Sequence, residues 1–334
     1  MSSPPILMVV VDTEEEFDWS APFDRRQTSV QAMAEIHRCQ DMCDRFGIRP
    51  IYVMDYPVAN QEAGWRPLKE LIDGGRAVMG AHLHPWVTPP LVEELTYTNS
   101  FPGNLPVAVE REKLTVLTQK IQTVMGCRPR IYKAGRYGIG PNTPAILHEL
   151  GYVVDLSPAP PFSFLVGGGP DFSLTSNHPQ RMADPSILSF PATGDFIGGL
   201  ANSRRRANQL YRFASSPRLK RLRLPGILSR TRLLERIRLS PEGHSADDLE
   251  RLTVTLLQRG LTVFSLTLHS PSFKPGCTPY VRDRRDLEQF METLKRYFHF
   301  FIDVLEGVSA TPLELGKRFD VTGEAKHIMR PRMG

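Results

Sequence analysis

Seven short apolar runs, rich in β-branched and aromatic residues, recur along the chain with helix-period stretches between most of them, and this alternation limits the fold more than any other feature. They fall at 6–11, 49–54, 77–81, 131–132, 152–155, 187–190 and 261–268. Strands linked through helices pair in parallel, because a parallel neighbour needs a long crossover. The periodicity predicts helices over 29–46, 110–125, 143–150, 246–259 and 284–305. Gly47, Gly151 and Gly260 stand at helix ends, and Ser245 with Asp248 reads as a capping signal. No mid-chain linker breaks the 334 residues, so one closed or nearly closed β/α barrel is expected over 1–320, with a loosely held tail at 321–334.

Composition excludes some classes. With 41% hydrophobic and 23% charged residues the chain reads as a soluble globular protein, and no run approaches the roughly 18 apolar residues of a membrane span. The run at 6–11 follows no basic segment, so it reads as a strand and not a signal peptide. Four cysteines (Cys39, Cys43, Cys127, Cys277) make no disulfide framework in a chain this long, and a cytoplasmic location is expected.

The first and third runs end in chemistry. Asp12-Thr13-Glu14 closes one and His82-Leu83-His84 the other. Residues i and i+2 share a strand face, so Asp12 sits beside Glu14 and His82 beside His84. The carboxyl ends of parallel strands are where α/β enzymes place their active groups. Two carboxylates and two imidazoles there suit a divalent cation, zinc first, which accepts nitrogen and oxygen donors and keeps a position open for water. Metal-assisted hydrolysis is the natural reading, although strand-end histidines also serve as hydrogen-bonded rim residues. Acids entering a helix favour its dipole, which accounts for Glu15, Glu16 and Asp18 better than for Asp12 and Glu14.

Three further elements join them. His269 ends the apolar run 261–268 and is placed to exchange protons, or to be a satisfied core histidine. Lys133 and Arg136 follow the short run 131–132 beside Gly135 and Gly138, where positive charge would hold Asp12 ionised, or where they form a solvated turn. Trp19, Trp86 and Tyr137 flank these motifs and suit stacking on a sugar ring or core packing.

A basic block runs from Arg204 to Arg238, with twelve Lys or Arg and one acid, Glu235, alternating with leucines and aromatics. It reads either as a helical excursion covering the barrel or as a strip for peripheral contact with an anionic membrane or glycan. Nothing else resembles a nucleic-acid motif, and no nucleic-acid partner is expected. The region 158–185, rich in Pro, Gly and Ser, reads as loop or short hairpin.

Taken in order, the strand ending in Asp-x-acid, Gly80-Ala81-His82 with a second histidine, the basic glycine turn, Asp155-Leu156-Ser157 and Leu268-His269 resemble the polysaccharide deacetylases of the NodB homology type, carbohydrate esterase family 4. Phrases around Trp19, Trp86, Gly138 and Ser272 look like its WalW-type branch, and the resemblance spans 6–315. It implies a distorted (β/α)7 barrel that removes acetyl, sometimes formyl, groups from amino sugars with a divalent metal. By position Asp12 matches the base, Glu14, His82 and His84 the metal ligands, His269 the general acid, and Asp155 a supporting position near substrate. Trp86 stands where the family's second metal histidine usually lies, so His84 must replace that ligand. Lys133 replaces an arginine that orients the base, with Arg136 available to compensate. A catalytically weak member that binds an anionic glycan or membrane through 204–238 is the alternative.

Overall fold

The structure, a computed structural model, describes residues 3–216, 219 and 223–322. Its strands are β1 (Ile6–Thr13), β2 (Ile51–Met54), β3 (Val78–Leu83), β4 (Ile131–Ala134), β5 (Val154–Asp155), β6 (Gln180–Arg181), β7 (Leu188–Ser189), β8 (Gly194–Ile197), β9 (Glu235–Arg238), β10 (Val263–His269) and β11 (Val308–Ser309). The seven runs expected from the sequence correspond to β1 to β5, β7 and β10, which pair in parallel in the order β10-β1-β2-β3-β4-β5-β7. This is the curled sheet of a (β/α)7 barrel. β6 adds antiparallel to β7, and β11 pairs with the start of β1.

β7 and β10 do not pair directly. The antiparallel β8–β9 pair lies between them in sequence, and the residues flanking it bridge the seam. Thr193 N donates to Ser265 O and Ser265 N to Thr193 Oγ1, while Leu239 N donates to Thr193 O and Thr267 N to Leu239 O, all at 2.8 to 3.1 Å. Those bonds satisfy a strand edge that would otherwise present open donors and acceptors.

Strand alternation sorts the core into two layers. Leu7, Val9 and Val11 point outward and pack with Leu114, Leu117 and Leu252 of the surrounding helices. Met8 and Val10 point inward with Ile51, Val53, Ile131 and Val154 and fill the barrel. A Cβ on Gly80 would lie 2.8 Å from both Ile131 O and a Val53 methyl, so only glycine fits the interior of β3 at that level.

The predicted helices appear with shifted ends. The first is a 3₁₀ turn, Gln31–Glu35, running into Ile36–Arg45; the others are Val107–Met125, Thr143–Glu149, Ala246–Gln258 and Arg284–His299, the last continuing as a π-turn, Phe300–Val304. Ser245 and Asp248 form the reciprocal capping box. The helices Tyr56–Asn60, Glu62–Asp73 and Pro312–Thr322 escaped prediction; the first is a single short turn, and Gly64 and Pro67 interrupt the pattern of the second. Gly64 is required there, since a Cβ would meet Val58 O at 2.4 Å.

The basic block is not one amphipathic helix. It comprises the helices Arg204–Ala214 and Leu224–Arg230 and then β9, and Arg218, Lys220 and Arg221 lie outside the described residues. Of the expected tail, residues 321 and 322 belong to the helix Pro312–Thr322, and 323–334 lie outside the described residues. Among the described residues, no helix is long and apolar enough to cross a membrane.

Candidate active site

On three strands the inward face changes from apolar or small to ionisable at the carboxyl end. On β1, Met8 and Val10 are followed by Asp12 and then Glu14; on β3, Gly80 by His82 and then His84; on β4, Ile131 by Lys133. β10 brings His269 level with Asp12, its register partner. Distant segments thus meet at the floor of a cavity of about 700 Å³, whose walls include Trp19, Phe23, Tyr97, Tyr137, Phe164 and Tyr280.

Glu14, His82 and His84 form one cluster. Each imidazole Nε2 lies 3.5 Å from Glu14 Oε2, and all three residues are buried. Their other ring nitrogens are committed, His82 Nδ1 to Lys133 O at 3.0 Å and His84 Nδ1 to Glu15 Oε2 at 2.9 Å. A carbonyl oxygen only accepts, so His82 Nδ1 carries the proton and its Nε2 presents a lone pair to a carboxylate. Burial drives His82 well below its ordinary pKa and His84 to about 4, so both rings are neutral at pH 7. With Glu14 ionised, acceptors would face acceptors, and among the described residues its Oε1 is buried without a hydrogen-bond partner. Burial, and then the charges of Asp12, Glu15, Asp55 and Glu242, push the Glu14 carboxyl well above the usual range. A divalent cation among these atoms would reverse each of these penalties, so the donor set fits zinc or a similar ion.

Gly135 allows the close approach, since a Cβ there would sit 2.4 Å from Leu83 O and 2.5 Å from His84 Cδ2. Behind His84, Trp86 stacks at 4.2 Å between ring centroids and donates Nε1 to Glu15 Oε1 at 2.8 Å. Glu15 N donates in turn to Asp55 Oδ2 at 2.8 Å.

Asp12 accepts from Lys133 Nζ at 2.7 and 2.5 Å. Burial alone would raise its pKa, but Lys133, with His82 and His269, outweighs burial and holds it at about 2. Its folded pKa therefore lies below the unfolded value, so its ionisation stabilises the fold above about pH 4, and this contribution is lost as pH falls through about 2. Lys133→Met leaves Asp12 buried and unpaired, and we expect it to cost about 3 to 5 kcal/mol at pH 7. Denaturant unfolding at several pH values should show that deficit shrinking towards pH 2; a deficit independent of pH would mean the loss is packing alone.

His269 is fixed by a partner that the sequence did not disclose. Its Nδ1 lies 2.7 Å from Glu242 Oε2, its backbone N donates to Glu242 Oε1 at 3.0 Å, and Ser272 Oγ donates to the same oxygen. His269 Nε2 is left facing the cavity, 3.6 Å from Asp12 Oδ2. Trp19 packs edge-on against its ring at 5.0 Å and against Tyr280 at 5.8 Å.

Three sequence assignments need correction. Trp86 is 1% exposed and lies behind His84, so it is no sugar platform. Asp155 is fully buried and accepts from Ser157 and Ser189; Ser157 Oγ in turn accepts from Ala134 N, so Asp155 braces the strand end beside Lys133 rather than touching substrate. Arg136 lines the cavity but does not bond Asp12. Its guanidinium donates to Ser100 Oγ and Tyr97 O and lies 4.0 Å from the Tyr97 ring centroid and 4.1 Å from that of Phe101. The backbone at Arg136 is left-handed (φ 55°). Sequence reasoning also missed Glu15, Glu242 and Arg238. Glu242 sits between Pro241 and Gly243 without any periodic signal, and Arg238 was read as part of a helical strip when it lies on β9.

Parallel strands carrying an acid and imidazole cluster at the barrel mouth define a (β/α)7 barrel with a preformed polar site. Its fold is that of the polysaccharide deacetylases. The chain is similar to the solved structure titled "putative polysaccharide deacetylase from Mycobacterium smegmatis", at 15% identity and a TM-score of 0.56, covering 100% of this chain and 99% of that one. It is similar to a "probable Polysaccharide deacetylase from Pseudomonas aeruginosa PAO1" at 14% identity, TM-score 0.52 and 97% and 92% coverage, and to Puue allantoinase at 14%, 0.51 and the same coverages. No protein-family model matches the chain, and no curated protein sequence matches it. At these identities the likeness establishes the fold and does not single out the WalW-type branch.

Proposed function

We propose that this protein is a metal-dependent hydrolase that removes an N-acyl group, acetyl or formyl, from an amino sugar in a polysaccharide, lipid-linked or nucleotide-linked glycan. The observation that supports this most is the convergence of Glu14 Oε2, His82 Nε2 and His84 Nε2 beside a carboxylate held ionised by Lys133. A divalent ion held by Glu14, His82 and His84 would supply Lewis acidity to the acyl carbonyl and acidify a bound water.

The chain's own groups complete the reaction. Asp12 takes the proton of the attacking water on a carboxylate oxygen, and Lys133 orients that carboxylate and keeps it ionised. His269 gives a proton from Nε2 to the departing amine, which is otherwise a very poor leaving group, while Glu242 fixes the ring. Trp19 and Tyr280 wall the cavity beside His269, where a sugar ring can stack.

The alternative of a binder acting through 204–238 has less support, because three of its described cations are engaged within the protein. Arg204 pairs with Asp195, Arg236 stacks on Phe162 and Tyr211, and Arg238 lines the cavity. A peripheral membrane contact would rest on the exposed Arg205, Arg206, Arg212, Arg223, Arg230 and Arg232 with Phe213 and Ile227.

The test is acetate or formate release from N-acylated hexosamine oligomers. Chelation should lower the rate by at least about 100-fold, and added zinc should restore it. Undiminished release in excess chelator would overturn the metal-dependent reading.

A further inference from the structure

We propose that the amino sugar processed here bears a negative charge of its own, a carboxylate or phosphate ester close to the N-acyl group, and that Arg238 recognises it. The inference rests on the hydrolase reading in that it concerns the same cavity.

The charges lining that cavity are equal in number but not matched in pairs. Its acids are Asp12, Glu14 and Asp18; its permanent cations are Lys133, Arg136 and Arg238. Asp12 is taken by Lys133, Glu14 faces the two imidazoles, and Asp18 lies exposed at the rim, accepting from Ser20. Arg136 spends donors on Ser100 and Tyr97. Arg238 has neither kind of partner. Among the described residues its side chain makes no ion pair or hydrogen bond, and its Nε is buried and unsatisfied. Of the arginines packed nearby, Arg204 and Arg259 pair with Asp195 and Arg251 with Glu235, while Arg236 is stacked on Phe162 and Tyr211 and, unlike Arg238, does not line the cavity.

Arg238 is nevertheless held in place. Its guanidinium lies 4.8 Å from the Tyr137 ring centroid and 4.3 Å from that of Phe162. Such contacts engage the face of the group and leave its N–H fork for a planar or tetrahedral oxyanion. Position 238 alternates inward on β9, opposite Gly194, where a Cβ would meet Pro160 O at 2.5 Å. Two more cavity atoms are buried without partners, Tyr137 Oη and Trp19 Nε1, and both can donate. A ligand rich in acceptors would satisfy all three. Lys133 Nζ lies 4.9 Å from the same Tyr137 ring, so the recognised charge falls near the reacting centre and not at a remote unit of the glycan.

Binding and turnover of N-acetylglucosamine, its 6-phosphate and N-acetylglucosaminuronic acid by the full-length, metal-loaded protein test this directly. The charged sugars should bind about 10- to 100-fold tighter than the neutral one, the range expected for a charge-assisted hydrogen-bonded contact. Arg238→Gln should bring the ratio close to one, Arg238→Lys should restore part of it, and rising salt should erode it in the native protein. The tighter of the two charged sugars identifies phosphate or carboxylate. Equal affinity for neutral and charged sugars in the native protein, or a ratio that survives Arg238→Gln, overturns the assignment; if the Gln variant does not fold, the native ratio and its salt dependence decide. A protein that discriminates by charge but releases no acyl group overturns the hydrolase and keeps Arg238, whereas equal hydrolysis of all three sugars does the reverse.

Discussion

Asp12→Asn is expected to lower turnover by about 100- to 10,000-fold, the usual worth of a general base, while the protein keeps its metal. The amide is nearly isosteric and still accepts from Lys133 through its oxygen, so the fold should survive. What disappears is the only carboxylate at the floor that Lys133 holds ionised; Glu14 is turned towards the imidazoles. Rate and metal content should be measured on the same preparation. Full activity in this variant would remove Asp12 as the base, and loss of metal along with the rate would make it a ligand instead.

The second large effect is expected at His84. Its ring is clamped by Trp86, by Glu15 and by the glycine at 135, and its Nε2 shares Glu14 Oε2 with His82 at equal distance. His84→Ala and His82→Ala should each weaken metal binding by more than the about 10- to 100-fold that follows loss of an outer partner, and should abolish turnover. Trp86→Phe, which removes only the bond to Glu15, should fall within that smaller range. Competition against a chromophoric chelator measures all three. If His84→Ala held metal as well as the native protein, the substitute ligand would have to be sought elsewhere.

Strand alternation made much of this arrangement legible. Met8, Val10 and Asp12 share one face in sequence and in space, as do Gly80, His82 and His84, so a period of two was enough to group the ionisable residues. The helix Glu62–Asp73 was hidden because Gly64 is demanded by a contact with Val58 that no local pattern reveals. Glu242 and Arg238 were invisible for a related reason. Each reaches the site through the segment that bridges the barrel seam, and its partners are 27 and about 100 residues away in sequence. Trp86 shows the opposite error: an aromatic beside a motif looked like a platform, but its indole N–H found a buried carboxylate and drew the ring inward.

Anomalous scattering from crystals of the purified protein at the zinc edge bears most directly on the central claim. A single strong peak is expected about 2.0 to 2.2 Å from His82 Nε2, His84 Nε2 and a Glu14 oxygen. A peak at the neighbouring Glu15, Asp55 and His84 cluster, or metal-replete crystals with none at Glu14, would contradict it.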